Sequence, residues 1–369
     1  MTADFVIVGS GLTGAVIARE LTDVGKSVLI LERRPHLGGN VFDHTHSSGI
    51  RVHTYGPHYF RTNDDELWRF VNRFASFYPY EAVIKTWVDG RFENWPIAAS
   101  YIRRTVGENW APAFKGVPTN FEEASLALMP QLIYEKFIRG YTEKQWGVPA
   151  RMLPADLAKR FDVHADDEPR LKRHKYQGLP TNGYAHFISR ILAGIQTITN
   201  CDYLGGRGEF KALEKVIFTG PIDEFFGFDL GRLKYRGQRR EQEFLSDVEY
   251  LQPCGQVNNP DPANGPHIRS LEWKQMMAPQ EQVKITGTLV TREVTYTPTD
   301  PGDYEYPFPD ASNARLYREY RTRAQACPSL LICGRLGEYR YYDMDQAIAR
   351  ARLLAKSLLK SGVPASRAI

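Results

Sequence analysis

Two short, unbroken apolar runs open the chain, residues 5–8 and Val28–Leu31, and between them apolar positions fall at helical spacing through Val16, Ile17, Ala18 and Leu21. Runs of this length that are rich in β-branched residues and do not alternate predict strands buried on both faces of a parallel sheet. The three segments together predict a βαβ unit. From about Trp68 to Leu171 the pattern becomes helix-compatible, as in residues 121–138, with tryptophans and prolines between the runs. Residues 209–219 return to a helix-then-strand pattern, and residues 233–294 alternate as antiparallel strands do, with turn signals at Asn258-Asn259-Pro260-Asp261 and Asn264-Gly265. A last strand over 330–333 leads into a helix over 345–359, and the proline-punctuated stretch 296–309 reads as a functional loop.

The fold class predicted is α/β: a Rossmann-like parallel-sheet domain, a helical insertion domain and an antiparallel β-sheet domain. The expected boundaries are 1–66, 180–232 and 325–369 for the Rossmann-like domain, 67–179 for the helical domain, and 233–324 for the sheet domain, with strands from 45–62 and 80–96 joining that sheet.

Composition narrows the class without naming a reaction. A formal net charge of +4 is too weak to argue for nucleic acid or a membrane surface. Cys201, Cys254, Cys327 and Cys333 are scattered without CxxC spacing, which argues against a disulfide framework and a zinc site and favours a reducing cytoplasm. The amino-terminal residues lack the basic start and long apolar region of a signal peptide, and no run reaches the roughly 18 apolar residues of a membrane span.

The chemistry starts at Gly9-Ser10-Gly11-Leu12-Thr13-Gly14. Gly9 permits a tight turn, Gly11 lets the backbone approach a pyrophosphate, and Gly14 lets the helix pack closely on the strand. The pyrophosphate then meets the helix amino terminus. Glu32 closes the second strand, where an acid accepts from the ribose hydroxyls. The glycine pair in Arg33-Arg34-Pro35-His36-Leu37-Gly38-Gly39-Asn40 and the strand end Thr219-Gly220 are what large flavoproteins show, so FAD is expected, and a pyridine nucleotide only as a transient visitor.

Six stretches, residues 6–40, 49–63, 140–147 (Gly-Tyr-Thr-Glu-Lys-Gln-Trp-Gly), 176–183, 218–223 and 334–344 (with Tyr-Tyr-Asp-Met), resemble the bacterial UDP-galactopyranose mutases in the same order. The resemblance implies a cytoplasmic isomerase, a homodimer, that supplies furanose sugars for cell-surface polysaccharide. It would interconvert the pyranose and furanose forms of UDP-galactose or a related UDP-sugar, through a covalent adduct between N5 of reduced FAD and the anomeric carbon. NAD(P)H would serve as a transient reductant.

Residue by residue, the resemblance implies Arg160 and Arg269 as diphosphate contacts, planar donors suited to that task. Tyr176, Tyr306 and Tyr341 would donate to the phosphates, Phe137 and Tyr141 would form the uracil platform, and Trp146 would lie beside the sugar. Thr142, Asn94 and Asn259 complete the implied substrate contacts. His58, in Gly56-Pro57-His58, would lie along the flavin with Arg335, Asp343 and Met344, and Asp343 also stands among the implied catalytic residues with Arg160, Arg269, His58 and Tyr341.

Two departures bear on the substrate. Arg61 stands where galactose-specific members carry a histidine, and a longer, permanently charged donor suits a C2 substituent such as an acetamido oxygen, making UDP-N-acetylgalactosamine the alternative sugar. The stretch 166–175 is longer and more basic than the family norm, in the region 160–176 where relatives carry a mobile lid. An oxidoreductase of the amine-oxidase type on the same FAD framework is the competing reading, disfavoured because an apolar amine site has no use for diphosphate donors.

Overall fold

The computed structural model describes residues 1–160, 167–171 and 173–361, without the side chains of Arg160 and Ser361. The first two apolar runs lie at the centre of a five-stranded sheet in the order Gln196–Ile198, Val28–Leu31, Thr2–Val8, Lys211–Phe218, Leu330–Ile332, all parallel. Both faces are covered, which is why the runs need no alternation: Val6, Ile7, Ile30 and Leu31 are fully buried. Helices Leu12–Thr22 and Met344–Ser361 pack together on one face, with Ala15, Ala18, Ala351 and Ala355 buried in the same core.

Register decides where this sheet opens. Val8 pairs with both Leu31 and Phe218, and Phe218 with Ile332. Four strands therefore end at one level, and Gly9, Glu32 and Thr219, with Gly334 one residue further on, line a common crevice at their carboxyl ends. This is where α/β sheets bind nucleotides.

A second, seven-stranded sheet runs in the order Tyr306–Pro307, Tyr235–Leu245, Thr288–Tyr296, Arg269–Glu272, Gln256–Asn258, Ile84–Val88, Arg91–Trp95. It is antiparallel except where Ile84–Val88 lies parallel to Gln256–Asn258. Strands from 80–96 join it as expected, but those from 45–62 do not. Among the described residues Asp43–Thr45 pairs only with Arg51–His53, and Phe60–Thr62 joins Tyr176–Pro180 and Phe77–Pro79 in a separate three-stranded sheet. The region expected to be helical is thus mixed. Its expected strand Ile84–Val88 buries alternate residues, while Phe77–Pro79 and Tyr176–Pro180 add strands outside the expected ranges.

The expected helical run over 121–138 breaks at Pro130 into Phe121–Leu126, Gln131–Tyr134 and a π-helical turn, Glu135–Arg139, before Gly140–Trp146. Phe121, Ile133, Tyr134, Phe137 and Ile138 form its core with Tyr101. Among the described residues no helix is long and apolar enough to cross a membrane.

Candidate active site

Three adjoining cavities run from the parallel sheet to the helical segment, and most of the expected site residues line them. The first lies over the strand ends and is lined by Gly9, Gly11, Leu12, Glu32, Arg33, Gly38, Gly39, Asn40, Thr219 and Gly220, with His58, Arg335 and Met344 at its far end. Its floor is bare backbone, and at Gly9 and Gly39 it resists a side chain. Gly11 and Gly38 bridge backbone to backbone, a Cβ on Gly39 would stand 3.0 Å from the Gly11 Cα, and Gly9 has a φ of +98°. The helix Leu12–Thr22 begins without a side-chain cap and without an acid in its first turn, so its free N–H groups face the cavity.

Glu32 is buried and fixed, accepting from the Ser10 amide at 2.9 Å, the Ser10 hydroxyl at 2.7 Å and the Arg34 amide at 3.0 Å. A carboxylate offers about four lone-pair directions, so it can still accept from a ribose hydroxyl. Arg33 forms a bidentate pair with Glu224 at 2.9 and 3.0 Å. A bare glycine floor, an uncapped helix start and a fixed acid fit the pyrophosphate and ribose of an FAD. Gly14 itself lines none of these cavities: a Cβ there would fall 2.0 Å from the Gly9 carbonyl oxygen, so its role is helix-on-strand packing beneath the nucleotide.

The second cavity shares His58, Arg335 and Met344 with the first and adds Gly56, Pro57, Arg61, Arg269, Glu305, Tyr306, Tyr341 and Asp343. Tyr306 and Tyr341 stack with centroids 6.2 Å apart, and the Arg335 guanidinium lies 4.8 Å from the Tyr341 ring centre. The Tyr341 hydroxyl donates to Asp343 at 3.2 Å, and Arg61 stands 3.9 Å from the same carboxylate.

His58 Nδ1–H donates to the Gly56 carbonyl at 2.8 Å, which leaves Nε2 as an acceptor. Burial, reinforced by the Arg335 charge, holds its pKa down to about 3, so the ring is neutral at working pH. Arg269 is the opposite case. Burial works against its charge, but the Glu293 carboxylate more than offsets this and raises its pKa, keeping it a cation.

The third cavity shares Arg269, Tyr306 and Tyr341 with the second and is walled by Trp95, Tyr141, Thr142, Trp146, Gln238 and Asn258. The Thr142 hydroxyl is buried there and has no hydrogen-bond partner among the described residues, as befits a contact for a polar ligand. The Gly140–Trp146 helix reaches this place through two local devices. A Cβ on Gly140 would fall 2.1 Å from the Pro260 carbonyl oxygen. Lys144 Nζ donates to the carbonyls of Asn259, Asp261 and His267 at 2.9, 2.9 and 3.1 Å.

Four expected contacts lie elsewhere, two of them one residue from a side chain that lines the third cavity. Asn258 lines the third cavity, whereas the Asn259 amide bonds back to the 264–267 turn. Trp95 lines it, whereas Asn94 points to the other strand face, held by Lys85 and by the Asp167 carbonyl. Tyr176 pairs with Thr62, so it stands on the face opposite Arg61 and stacks on Trp68 at 4.9 Å. Phe137 is 2% exposed, packed edge-on against Tyr101 in the helical core, and presents no face to a base. The Arg160 side chain and residues 161–166 and 172 of the expected lid lie outside the described residues.

The sequence reading missed Gln238, Gln256, Asn258 and Glu305, which line the second and third cavities. The signal for the strand residues was their alternation. Arg240, Glu293, Arg269, Asn258 and Thr86 are direct cross-strand neighbours on five adjacent strands, so one row across the sheet carries the charged and amide side chains on a single face.

Comparison with known proteins places this architecture. A family model described as UDP-galactopyranose mutase matches residues 136–341, and one described as an NAD(P)-binding Rossmann-like domain matches residues 7–74. A probable UDP-galactopyranose mutase of Klebsiella pneumoniae is 33% identical over 97% of this chain and 95% of its own length. A dTDP-fucopyranose mutase of Escherichia coli is 31% identical over 96% and 98%. Among solved structures, that of a reduced UDP-galactopyranose mutase superposes with a TM-score of 0.70 at 15% identity, covering 98% of this chain and 95% of the other, a likeness of fold.

Proposed function

The chain belongs to the UDP-galactopyranose mutase family and is an FAD-dependent isomerase, and on that premise we propose that it interconverts the pyranose and furanose forms of UDP-galactose or a closely related UDP-sugar. The observation that carries this reading is the sharing of Arg269, Tyr306 and Tyr341 between the second and third cavities. A diphosphate held by those three groups would send its sugar toward the flavin side and its base toward Tyr141, Thr142 and Trp146.

Reduced FAD, held by the glycine floor, Glu32, Asn40 and the Leu12–Thr22 helix start, supplies the nucleophile for the anomeric carbon when bound. The protein's own part is positioning and charge. Arg269 stabilises the departing diphosphate, with the Tyr306 and Tyr341 hydroxyls as further donors. Neutral His58 offers Nε2 as an acceptor beside the sugar. The buried walls hold UDP in place while the sugar ring opens and recloses. Transient NAD(P)H is the proposed reductant of a cytoplasmic homodimer, and the boundaries given above are the proposed domain division, with residues 45–62 assigned outside the large sheet.

Arg61 supports a refinement of the sugar. It lines the second cavity from the strand Phe60–Thr62, so a C2 acetamido group, as in UDP-N-acetylgalactosamine, has a donor within the site. The two similar relatives carry different nucleotide sugars in their names, so overall similarity does not choose among substrates.

The test is an anaerobic panel of UDP-sugars and dTDP-sugars with dithionite-reduced enzyme, scored by chromatography. Ring interconversion without flavin reoxidation is expected. Turnover that requires oxygen and oxidised flavin would replace this reading with an oxidase.

A further inference from the structure

Resting on the reading of Arg269 as the diphosphate contact, we propose that the buried ion pair between Arg240 and Glu305 is a positioning device for Arg269, acting through Glu293. Arg240, Glu293 and Arg269 stand directly opposite one another on three adjacent strands, so their side chains share one face. Glu293 is wholly buried and divides its carboxylate between them. Its Oε1 accepts from Arg240 Nε at 3.0 Å, and its Oε2 accepts from Arg269 Nε.

The donor count separates the two arginines. A guanidinium has five N–H groups. Arg240 uses Nε on Glu293, Nη1 on Glu305 at 2.8 Å and the Gln238 carbonyl at 3.3 Å, and Nη2 on Glu305 at 2.9 Å and the Gln238 side chain at 3.2 Å. It is saturated and has nothing left for a ligand. Arg269, by contrast, donates only through Nε among the described residues, and it borders both the second and third cavities. Its terminal fork is the part available to a diphosphate. What aims that fork is the carboxylate at its Nε, and what holds the carboxylate is Arg240, itself locked bidentate by Glu305.

The four charges balance, two cations against two anions, so a buried cluster can persist without a counterion. The cofactor side also rests on it. Gly56 carries a φ of +92°, and a Cβ there would lie 2.8 Å from Glu293 Oε1 and 3.2 Å from Arg240 Nη2. The turn that presents His58 is therefore seated on the same cluster.

Two variants keep the net charge and so separate aim from field strength. Arg240→Lys keeps one positive charge but cannot span two carboxylates. Arg240→Met with Glu305→Leu removes the pair as a neutral unit. UDP affinity of the flavin-loaded protein is measured by calorimetry, with flavin content and melting temperature as controls. Each variant is expected to raise the UDP Kd about tenfold, within the coupling range of groups sharing one ion-pair network. KM for the nucleotide sugar should rise more than kcat falls. In an Arg269→Lys background the same changes should shift Kd less than about twofold.

An unchanged Kd, or an equal shift in both backgrounds, overturns the proposal. Loss of flavin by both variants assigns the pair to holding the fold and overturns it too. A wild type that fails to bind UDP removes the functional reading as well, whereas unchanged variants of a UDP-binding wild type remove this inference alone.

Discussion

Arg61 Nη2 lies 3.9 Å from Asp343 Oδ1, joining a strand near the amino terminus to the turn before the last helix. Both line the second cavity, and the Arg61 side chain is 19% exposed. At that distance the pair is a weak tether, which leaves the arginine's donors open to a substrate group.

Replacing Arg61 by His should therefore change selectivity more than turnover. The ratio of kcat/KM for UDP-N-acetylgalactosamine to that for UDP-galactose is expected to fall about tenfold or more, the scale of one lost hydrogen bond to a substituent. Steady-state kinetics on both sugars measure it. An unchanged ratio would show that Arg61 does not read the sugar.

Lys144 ties three carbonyls of the 259–267 loop, which joins the strands carrying Asn258 and Arg269. Lys144→Met should lower stability by about 2–4 kcal/mol, since hydrogen bonds to a charged group are each worth about 1.5–3 kcal/mol and the loop relaxes in part. UDP affinity should weaken while flavin content stays constant. Chemical denaturation and a UDP titration check the two halves separately. An unaltered denaturation midpoint would contradict the structural role.

Gly14→Ala sets a methyl against the Gly9 carbonyl oxygen, 2.0 Å from its ideal position. Overpacking of this kind costs about 3 kcal/mol and pushes the helix start away from the first strand. The purified variant should retain much less flavin per chain by absorbance. Gly208→Ala, where nothing lies within 4 Å of a Cβ, is the matched control and should retain all of it. Equal flavin content in the two variants would mean that the fingerprint tolerates a side chain at its third glycine.

His53 and His58 are both neutral in the fold. Burial holds each down to about 3, and the His58 amide donates to His53 Nδ1 at 3.1 Å. The unfolded chain would titrate both near the ordinary value of 6.5. Between those values the unfolded state binds more protons, so stability is full above about pH 6.5 and declines as pH falls toward 3, by up to about 1.4 kcal/mol per pH unit for each ring. His58→Asn should remove one ring's share of that slope. Denaturation series from about pH 7 to 4.5 measure it. Parallel curves for wild type and variant would show that His58 is not held neutral.

Much of the fold was legible because its signals are local. A tight turn, a helix start and an acid at a strand end need only a few consecutive residues, so the parallel sheet and the cavity over its strand ends followed from Gly9–Gly14, Glu32 and Gly38-Gly39. The segments Gly140–Trp146 and 334–344 were legible only through the family resemblance they carry; the close backbone approach at Gly140 and the layered Arg335, Tyr341 and Tyr306 came with the structure.

Asn259 lies one residue past its strand, buried in its own turn, whereas the misplacements of Asn94 and Tyr176 share one physical origin. Adjacent strand residues face opposite sides, so a shift of one residue exchanges cavity for exterior. Spacing along a chain does not say which side will be roofed. That depends on pairings made over long separations, such as Asn258 with Thr86 or Thr62 with Tyr176. Phe137 failed differently, because an aromatic ring serves a core and a binding platform equally well until its neighbours are known.

By itself, then, the sequence determined the cofactor class, the family and the residue types that hold a nucleotide, all properties of short segments. The tertiary structure alone decided which faces meet across the cavities, that Arg61 reaches Asp343, and that Glu305 locks Arg240. These are contacts between distant segments, created by sheet register and burial, and no local pattern encodes them.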